Sequence, residues 1–419
     1  MGLADFPSWV TPLVQCMLVQ SLTGLTTGFA PSQSFARPVV AAITALVAYR
    51  LLPRGIGDCF DETRFAGPVV AMCWVNVLNA IDLLVLSRVS YEAQVEWEVK
   101  QRMKMQKAPP QVDGRDLFVH RLIWSLGIPY NYRRINTPWQ IQRLPSVDSR
   151  DPRRVPSRRY FLLHGAAKLF VSLGMIQAFT IDAEDVHLSR AVERLALHPS
   201  RSTAAPAILF WITGSWSACL VRLLATVSFG IVTRAAIVAG YTGAGVVSVL
   251  LGLSEPAAWP PVFGSLAEAW CLRRFWGIAW HQTLRQLLSA NANYLASLLG
   301  VSPSSRRGYF FRLAFAFAVS GAVHSLVDMA FGVSLVKSGG IWFFALQVPG
   351  CVLESAVQSI ASPLGNCTRL STKRKIGYCW VVLFLLWATP VWITPILLAL
   401  YKDGQRIPSP FLCFSSWPL

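Results

Sequence analysis

An all-α, polytopic integral membrane protein is the fold class this sequence predicts, and two observations carry that expectation. Hydrophobic residues make up 53% of the 419 and charged residues only 14%, with a mean hydropathy of +0.45, outside the usual balance of a soluble globular domain. Eight or nine stretches, roughly 10–30, 36–53, 65–87, 160–181, 204–225, 228–252, 309–333, 340–360 and 376–401, are mostly apolar. Each approaches the roughly 20 residues a helix needs to cross about 30 Å of hydrocarbon, where every backbone polar group must be satisfied within the segment.

In chain order, the first stretch has no basic segment before it and no small-residue cleavage site behind it, so it reads as a retained span. The second carries Arg50 near its end, where a long side chain reaches the interface. No stretch the size of a soluble domain is left over, and the whole of 1–419 reads as a single membrane-embedded domain. The formal charge of +17 has a home in one inter-span segment: residues 88–159 hold fifteen Lys or Arg against seven Asp or Glu, a net of +8. The positive-inside tendency assigns this segment to the cytosol, where it favours anionic headgroups or an anionic cosubstrate. With no soluble basic fold to carry a patch, nucleic acid is excluded as a partner. The nine cysteines are scattered with no CxxC pair, so neither a disulfide framework nor a metal site is indicated.

Three inter-span segments stand out. Within 88–159, the charged stretch from Tyr91 to Gln106 reads as a helix, followed by Pro109, Pro110 and the run GIPYNYRRINTPWQIQRLP. Within 182–203, IDAEDVH leads into an amphipathic pattern through Leu188, Val192, Leu195 and Leu197, which suits a helix lying on the bilayer. In the third, 253–308, a helix from about Ser265 to Ala290 would put Trp276, Trp280, Leu284 and Leu287 on one face and Arg274, Ile278, His281 and Arg285 on the next. Composition alone makes that helix an aromatic belt at headgroup level with arginines touching phosphates.

Of the six histidines only His324 lies deep inside a span, in FAFAVSGAVHSLVDMAFG, with Asp328 one turn further on. An ionisable residue there is costly and marks an interior site or water-filled cavity. Asp328 at i+4 is the candidate to hydrogen-bond one ring nitrogen and fix the tautomer of the other. The alternative is a histidine that bonds a backbone carbonyl in a close helix packing permitted by Gly321.

SLAEAWCLRRFWGIAWHQTLR, followed some forty residues on by AVSGAVHSLVD in a span, resembles the membrane-bound O-acyltransferase superfamily, and within it the wax synthase-like branch. Phe275, Trp276, Gly277, Trp280, His281 and Gln282 match the first element of the branch pattern, and Ser320, Gly321 and His324 match the second. The paired elements cover residues 262–332, the expected catalytic region; NTPWQIQRLP is similar to an upstream stretch of the family. The sequence departs from the pattern at Ile278 and Ala279, where a basic pair often stands, while Arg273 and Arg274 precede the motif.

The resemblance implies an acyl-CoA-dependent O-acyltransferase of the endoplasmic reticulum membrane. Chains of this size in the branch resemble acetyltransferases that decorate terpenoids and meroterpenoids in secondary-metabolite biosynthesis. It implies acetyl-CoA as cosubstrate, no bound cofactor, and a lipophilic alcohol as acceptor. Acyl transfer from a thioester to an alcohol needs a base for the hydroxyl proton and a donor for the oxyanion. His324 is the candidate base and His281 the candidate hydrogen-bond donor to the carbonyl oxygen. Arg273, Arg274, Arg285, Trp276, Trp280 and Gln282 are candidates for contact with the acyl-CoA. No activated Ser or Cys stands near either histidine in sequence, so a covalent acyl-enzyme is not expected. Two other readings stay open: a wax ester synthase using long-chain acyl-CoA and a fatty alcohol, and a transporter in which His324 and Asp328 relay protons.

Overall fold

The computed structural model describes residues 10–57, 66–104, 114–147, 151, 154–181, 216–302, 304–361, 370–402 and 407–408. They form eleven α-helices of more than three residues: α1 Val10–Phe29, α2 Ala36–Gly57, α3 Ala66–Ile81, α4 Tyr91–Lys104, α5 Gly114–Gly127, α6 Arg158–Ala178, α7 Trp216–Leu250, α8 Arg285–Leu298, α9 Arg306–Ala330, α10 Gly340–Ala361 and α11 Leu370–Lys402. The only extended pairing among the described residues is a two-residue antiparallel bridge, Thr180–Ile181 with Ile407–Pro408. The amphipathic stretch expected in 182–203 and residues 204–215 of the expected fifth span lie outside the described residues.

Among the described residues five helices are long and apolar enough to cross a membrane: Arg158–Ala178, Arg222–Leu250, Arg306–Met329, Gly340–Ile360 and Ser371–Lys402. A bent pair, Cys73–Leu86 with Tyr91–Lys104 at 76°, makes a sixth. The count of eight or nine is therefore not reached. One reason is that the expected break between 204–225 and 228–252 does not exist: Thr226, Val227 and Ser228 run within the 35-residue α7. None of these three residues breaks a helix as Pro does.

The chain divides into two compact units, residues 1–142 with 283–319, and 143–282 with 320–419. In the first, α1 ends under Arg37, whose guanidinium and Nε donate to the carbonyls of Thr27, Ala30, Pro31 and Val89 at 2.9–3.1 Å. One side chain thus satisfies carbonyls that a helix C-terminus leaves without partners. Gly24 and Gly28 allow α5 to close on α1, because a Cβ at either would meet Ser125. The expected charged helix of 91–106 is present as α4. The run NTPWQIQRLP is a loop with Asn136 and Arg143 in the left-handed region (φ 57° and 60°), as is Arg134 just before it (φ 53°). It is anchored by Arg134 Nη2, which donates to Asp82 Oδ2 at 2.8 Å and to Asn79 Oδ1 at 2.7 Å with both charged side chains fully buried.

In the second unit α6 and α7 pack side by side, with Gly165 set where a Cβ would run into Val246. Arg158 Nη2, at the start of α6, donates to Leu250 O at the end of α7 (3.2 Å). The chain before α6 and the chain after α7 therefore emerge at one end of this pair. The segment after α7 folds back on it: Tyr241 OH donates to Pro260 O (2.9 Å), and Trp259 Nε1 donates to Ser254 Oγ (2.8 Å).

Candidate active site

The motif FWGIAWHQTLR is not a continuous helix. After a single turn at Leu272–Arg274 the backbone widens into a π-turn, Phe275–Ala279, closed by Trp280 N donating to Phe275 O at 2.7 Å. Trp280 then leaves in an extended conformation (φ −76°, ψ 164°), and helix resumes only at Arg285. The expected belt helix of 265–290, with its two faces, is thereby corrected. The break has identifiable causes. Gln282, which is buried, turns its amide back to donate to Gly277 O (2.9 Å) and Ile278 O (3.3 Å). Gly264 lies against the Ile278 carbonyl, where a Cβ would collide. The turn's first amide, Leu272 N, donates to Glu354 Oε2 at 2.7 Å, from a carboxylate buried on α10.

The second element forms as expected, on α9. Gly321 touches α10: a Cβ there would lie 3.1 Å from Ile341 Cα and 3.4 Å from Phe344 Cβ. That approach sets Phe344 against His324, ring centroids 4.6 Å apart, while Trp392 of α11 meets the same imidazole edge-on at 4.9 Å and 89°. His324 Nδ1 lies 2.7 Å from Ser320 O. A carbonyl only accepts, so Nδ1 carries the hydrogen and Nε2 keeps its lone pair. The direct bond expected from Asp328 to His324 is not made. Asp328 is fully buried, and its oxygens accept from Ser338 Oγ at 2.6 Å and Trp392 Nε1 at 2.9 Å. Its reach to His324 is indirect, through the indole it holds. One turn of helix brings the two residues onto one stripe, but the His324 ring turns back to its own helix carbonyl instead.

The two histidines belong to one unit and are joined by a row of rings. His281 lies 5.9 Å from Trp280, Trp280 5.9 Å from Trp276, Trp276 5.9 Å from Phe344, and Phe344 4.6 Å from His324. Trp276 is fixed by its Nε1 donating to Gln347 Oε1 at 3.0 Å. Phe263 meets His281 edge-on at 6.0 Å and Trp280 at 5.3 Å.

The arginines are differently placed. Arg273 faces Glu354 (Nε to Oε1 3.5 Å) and donates to Gln358 Oε1 (2.8 Å). Arg274 pairs with Glu268 and lies over the Trp270 ring at 4.8 Å. Arg285 falls in the first unit, where its Nη1 donates to Gln142 O at 3.4 Å. Cys271 is buried beside the turn, and burial pushes its thiol up to about 11, which disfavours the thiolate at neutral pH.

Gln347, Glu354, Ser338 and Trp392 are residues of this site that the sequence reading passed over. Gln347 and Glu354 stand seven apart in the span of α10, a polar stripe that signals an interior face. Ser338 and Trp392 carry no such signal, since their roles depend on where α11 crosses α9.

Comparison with known proteins bears on the same region. Residues 259–346 match the pattern of the Membrane bound O-acyl transferase family. Over longer stretches the chain is similar to the acetyltransferase aurG of Calcarisporium arbuscula, 29% identical over 96% of this chain and 95% of that one. It is also similar to the acetyltransferase fsoF of Humicola fuscoatra, 29% identical over 76% and 80%, and to the acetyltransferase spyB of Aspergillus fumigatus, 28% over 68% and 49%. The matched region contains both histidine elements and the broken turn that relates them; over these residues the chain is similar to the Membrane bound O-acyl transferase family, and the chain is an acyltransferase.

Proposed function

We propose that the protein transfers the acetyl group of acetyl-CoA to a hydroxyl of a lipophilic terpenoid or meroterpenoid intermediate in secondary-metabolite biosynthesis, in the endoplasmic reticulum membrane. The observation that carries this reading is the His324 imidazole, which has Nδ1 committed to Ser320 O and Nε2 left to accept a proton. Nε2 takes the proton of the acceptor hydroxyl, and the oxygen attacks the thioester carbonyl carbon. A C–O bond forms as the C–S bond breaks, and the imidazolium returns the proton to sulfur, releasing coenzyme A as the thiol. His281 donates a hydrogen bond to the carbonyl oxygen as it becomes an oxyanion, the charge that catalysis must stabilise. Both substrates are bound at once and no acyl-enzyme forms.

The near full-length relatives are named acetyltransferases, which supports the short acyl group over the long one. The coenzyme's phosphates are assigned to Arg273 and Arg274, with Trp276, Trp280 and Gln282 nearer the acyl end. Both arginines are partly neutralised by a carboxylate, so they contribute less net attraction than their charge suggests. Asp328 is a positioning residue through Trp392. The test is thiol release by membranes holding the protein, with acetyl-CoA and palmitoyl-CoA each offered to a panel of terpenoid and fatty alcohols. Acetyl-dependent release with a terpenoid alcohol is expected; release with palmitoyl-CoA alone would convert the reading to wax ester synthesis.

A further inference from the structure

The second unit holds a cavity of about 620 Å³ between α6, α7 and the segment that follows α7. Its walls include Phe161, Val171, Val238, Trp259 and Phe263, and a volume of this size accommodates a small lipophilic ligand. One charge interrupts the apolar wall along α7: Arg234, which lies near the middle of the membrane span Arg222–Leu250. Its guanidinium sits over the Phe263 ring at 4.1 Å. Among the described residues Arg234 makes no hydrogen bond or ion pair, its Nη1 is buried with no partner, and no Asp or Glu lines the cavity. A cation left in this state at the centre of a span is costly, and its cost is offset only when a counter-charge arrives.

The same Phe263 ring meets His281 on its edge. Arg234 and the acyl-transfer motif are therefore one aromatic ring apart, with Phe263 in the wall between the cavity and His281.

We propose that this cavity takes the acceptor, and that Arg234 recognises an acidic oxygen on it, so the acceptor is a lipophilic hydroxy acid ionised as a carboxylate. This rests on the acyl-transfer reading above for the word acceptor, though not for the binding itself. Coenzyme A does not fit the same description: it carries several phosphate charges, and the cavity offers one guanidinium in an apolar wall, with Lys168 and His164 exposed on α6. A phospholipid headgroup is excluded by depth, since Arg234 stands mid-span. A guanidinium meeting a carboxylate forms a charge-assisted pair.

The test uses the detergent-purified full chain and a matched pair of probes, a hydroxylated diterpene acid and its methyl ester. Binding is read by competition of each against the radiolabelled acid. The wild type is expected to bind the acid about 10- to 150-fold more tightly than the ester, the range of a charge-assisted hydrogen bond. In Arg234→Gln the ratio falls to near one, and in Arg234→Lys part of it returns. Val238→Phe keeps the charge and narrows the cavity, and it is expected to weaken acid and ester together while the ratio persists. A wild-type preference for the ester, or an acid-to-ester ratio unchanged in Arg234→Gln, overturns the proposal. A ratio is independent of how much protein folds, and binding is read without turnover. Tight, Arg234-dependent binding of the acid with no acetyl transfer to any alcohol would sink the acyl-transfer reading and leave this site standing.

Discussion

Two fully buried aspartates, Asp82 in the first unit and Asp328 in the second, are held by opposite kinds of partner. Asp82 faces the guanidinium of Arg134, accepts from Ser87 Oγ at 2.6 Å, and belongs to a cluster in which Asn79 and the Asn131 carbonyl also engage Arg134. Among the described residues Asp328 has only neutral donors: a serine hydroxyl, an indole and the Gly340 backbone N–H. The cations divide in the same way: Arg134 has its carboxylate, whereas Arg234 has an aromatic face. Charges that close on each other hold a loop in place. Charges that the chain leaves open define where something else must bind or react.

The sharpest way to test that division is to remove the reacting group. His324→Ala is expected to lower acetyl transfer by about 100- to 10,000-fold, as loss of a general base does, with the thermal midpoint of the purified protein little changed. An equal loss of folded protein and of activity would make His324 a packing residue. The opposite outcome is expected at the closed pair. Asp82→Asn leaves the Arg134 charge buried without a counter-charge and should destabilise by roughly 3–5 kcal/mol, seen as a lower midpoint and yield in detergent, while kcat of the surviving protein holds.

His281→Ala should reduce kcat by about 100- to 1000-fold if the imidazole stabilises the oxyanion, with a smaller change in KM; a rise in KM alone would assign it to binding. The smallest effect separates the indole ring from its N–H. Trp392→Phe keeps a ring against His324 and removes a donor from Asp328, at a cost of about 1–3 kcal/mol for the unsatisfied carboxylate oxygen. Turnover measured at a temperature where both proteins are folded should fall less than in either histidine variant.

One part of this division could be read from residues alone. His324 was conspicuous because an imidazole in a run such as FAFAVSGAVHSLVDMAFG is costly unless it faces an interior, and Gly321 announced a close helix approach. The π-turn was not legible. Helical periodicity through 265–290 is unbroken as a pattern, and what breaks it is a glutamine five residues on that bonds Gly277 and a glutamate 82 residues away that caps Leu272. Long-range partners of that kind leave no mark on local spacing. The partner of Asp328 was misread for a related reason: helix geometry places His324 and Asp328 on one stripe, but a tryptophan from α11 competes for the carboxylate. In α7 nothing local signals that the helix runs without a break through Thr226, Val227 and Ser228.

α10 grips both halves of the site: Phe344 touches His324, Gln347 holds Trp276, and Glu354 caps the turn that presents His281. One helix thus acts as a common jig for the base and the oxyanion donor. Substitutions in either half are then epistatic through α10, since groups that share a partner or a backbone shift do not contribute additively. A lineage that reshapes one half to accept a new substrate must alter the other in step, so variation is expected to accumulate along the cavity wall of α6 and α7 before it reaches the residues that α10 binds.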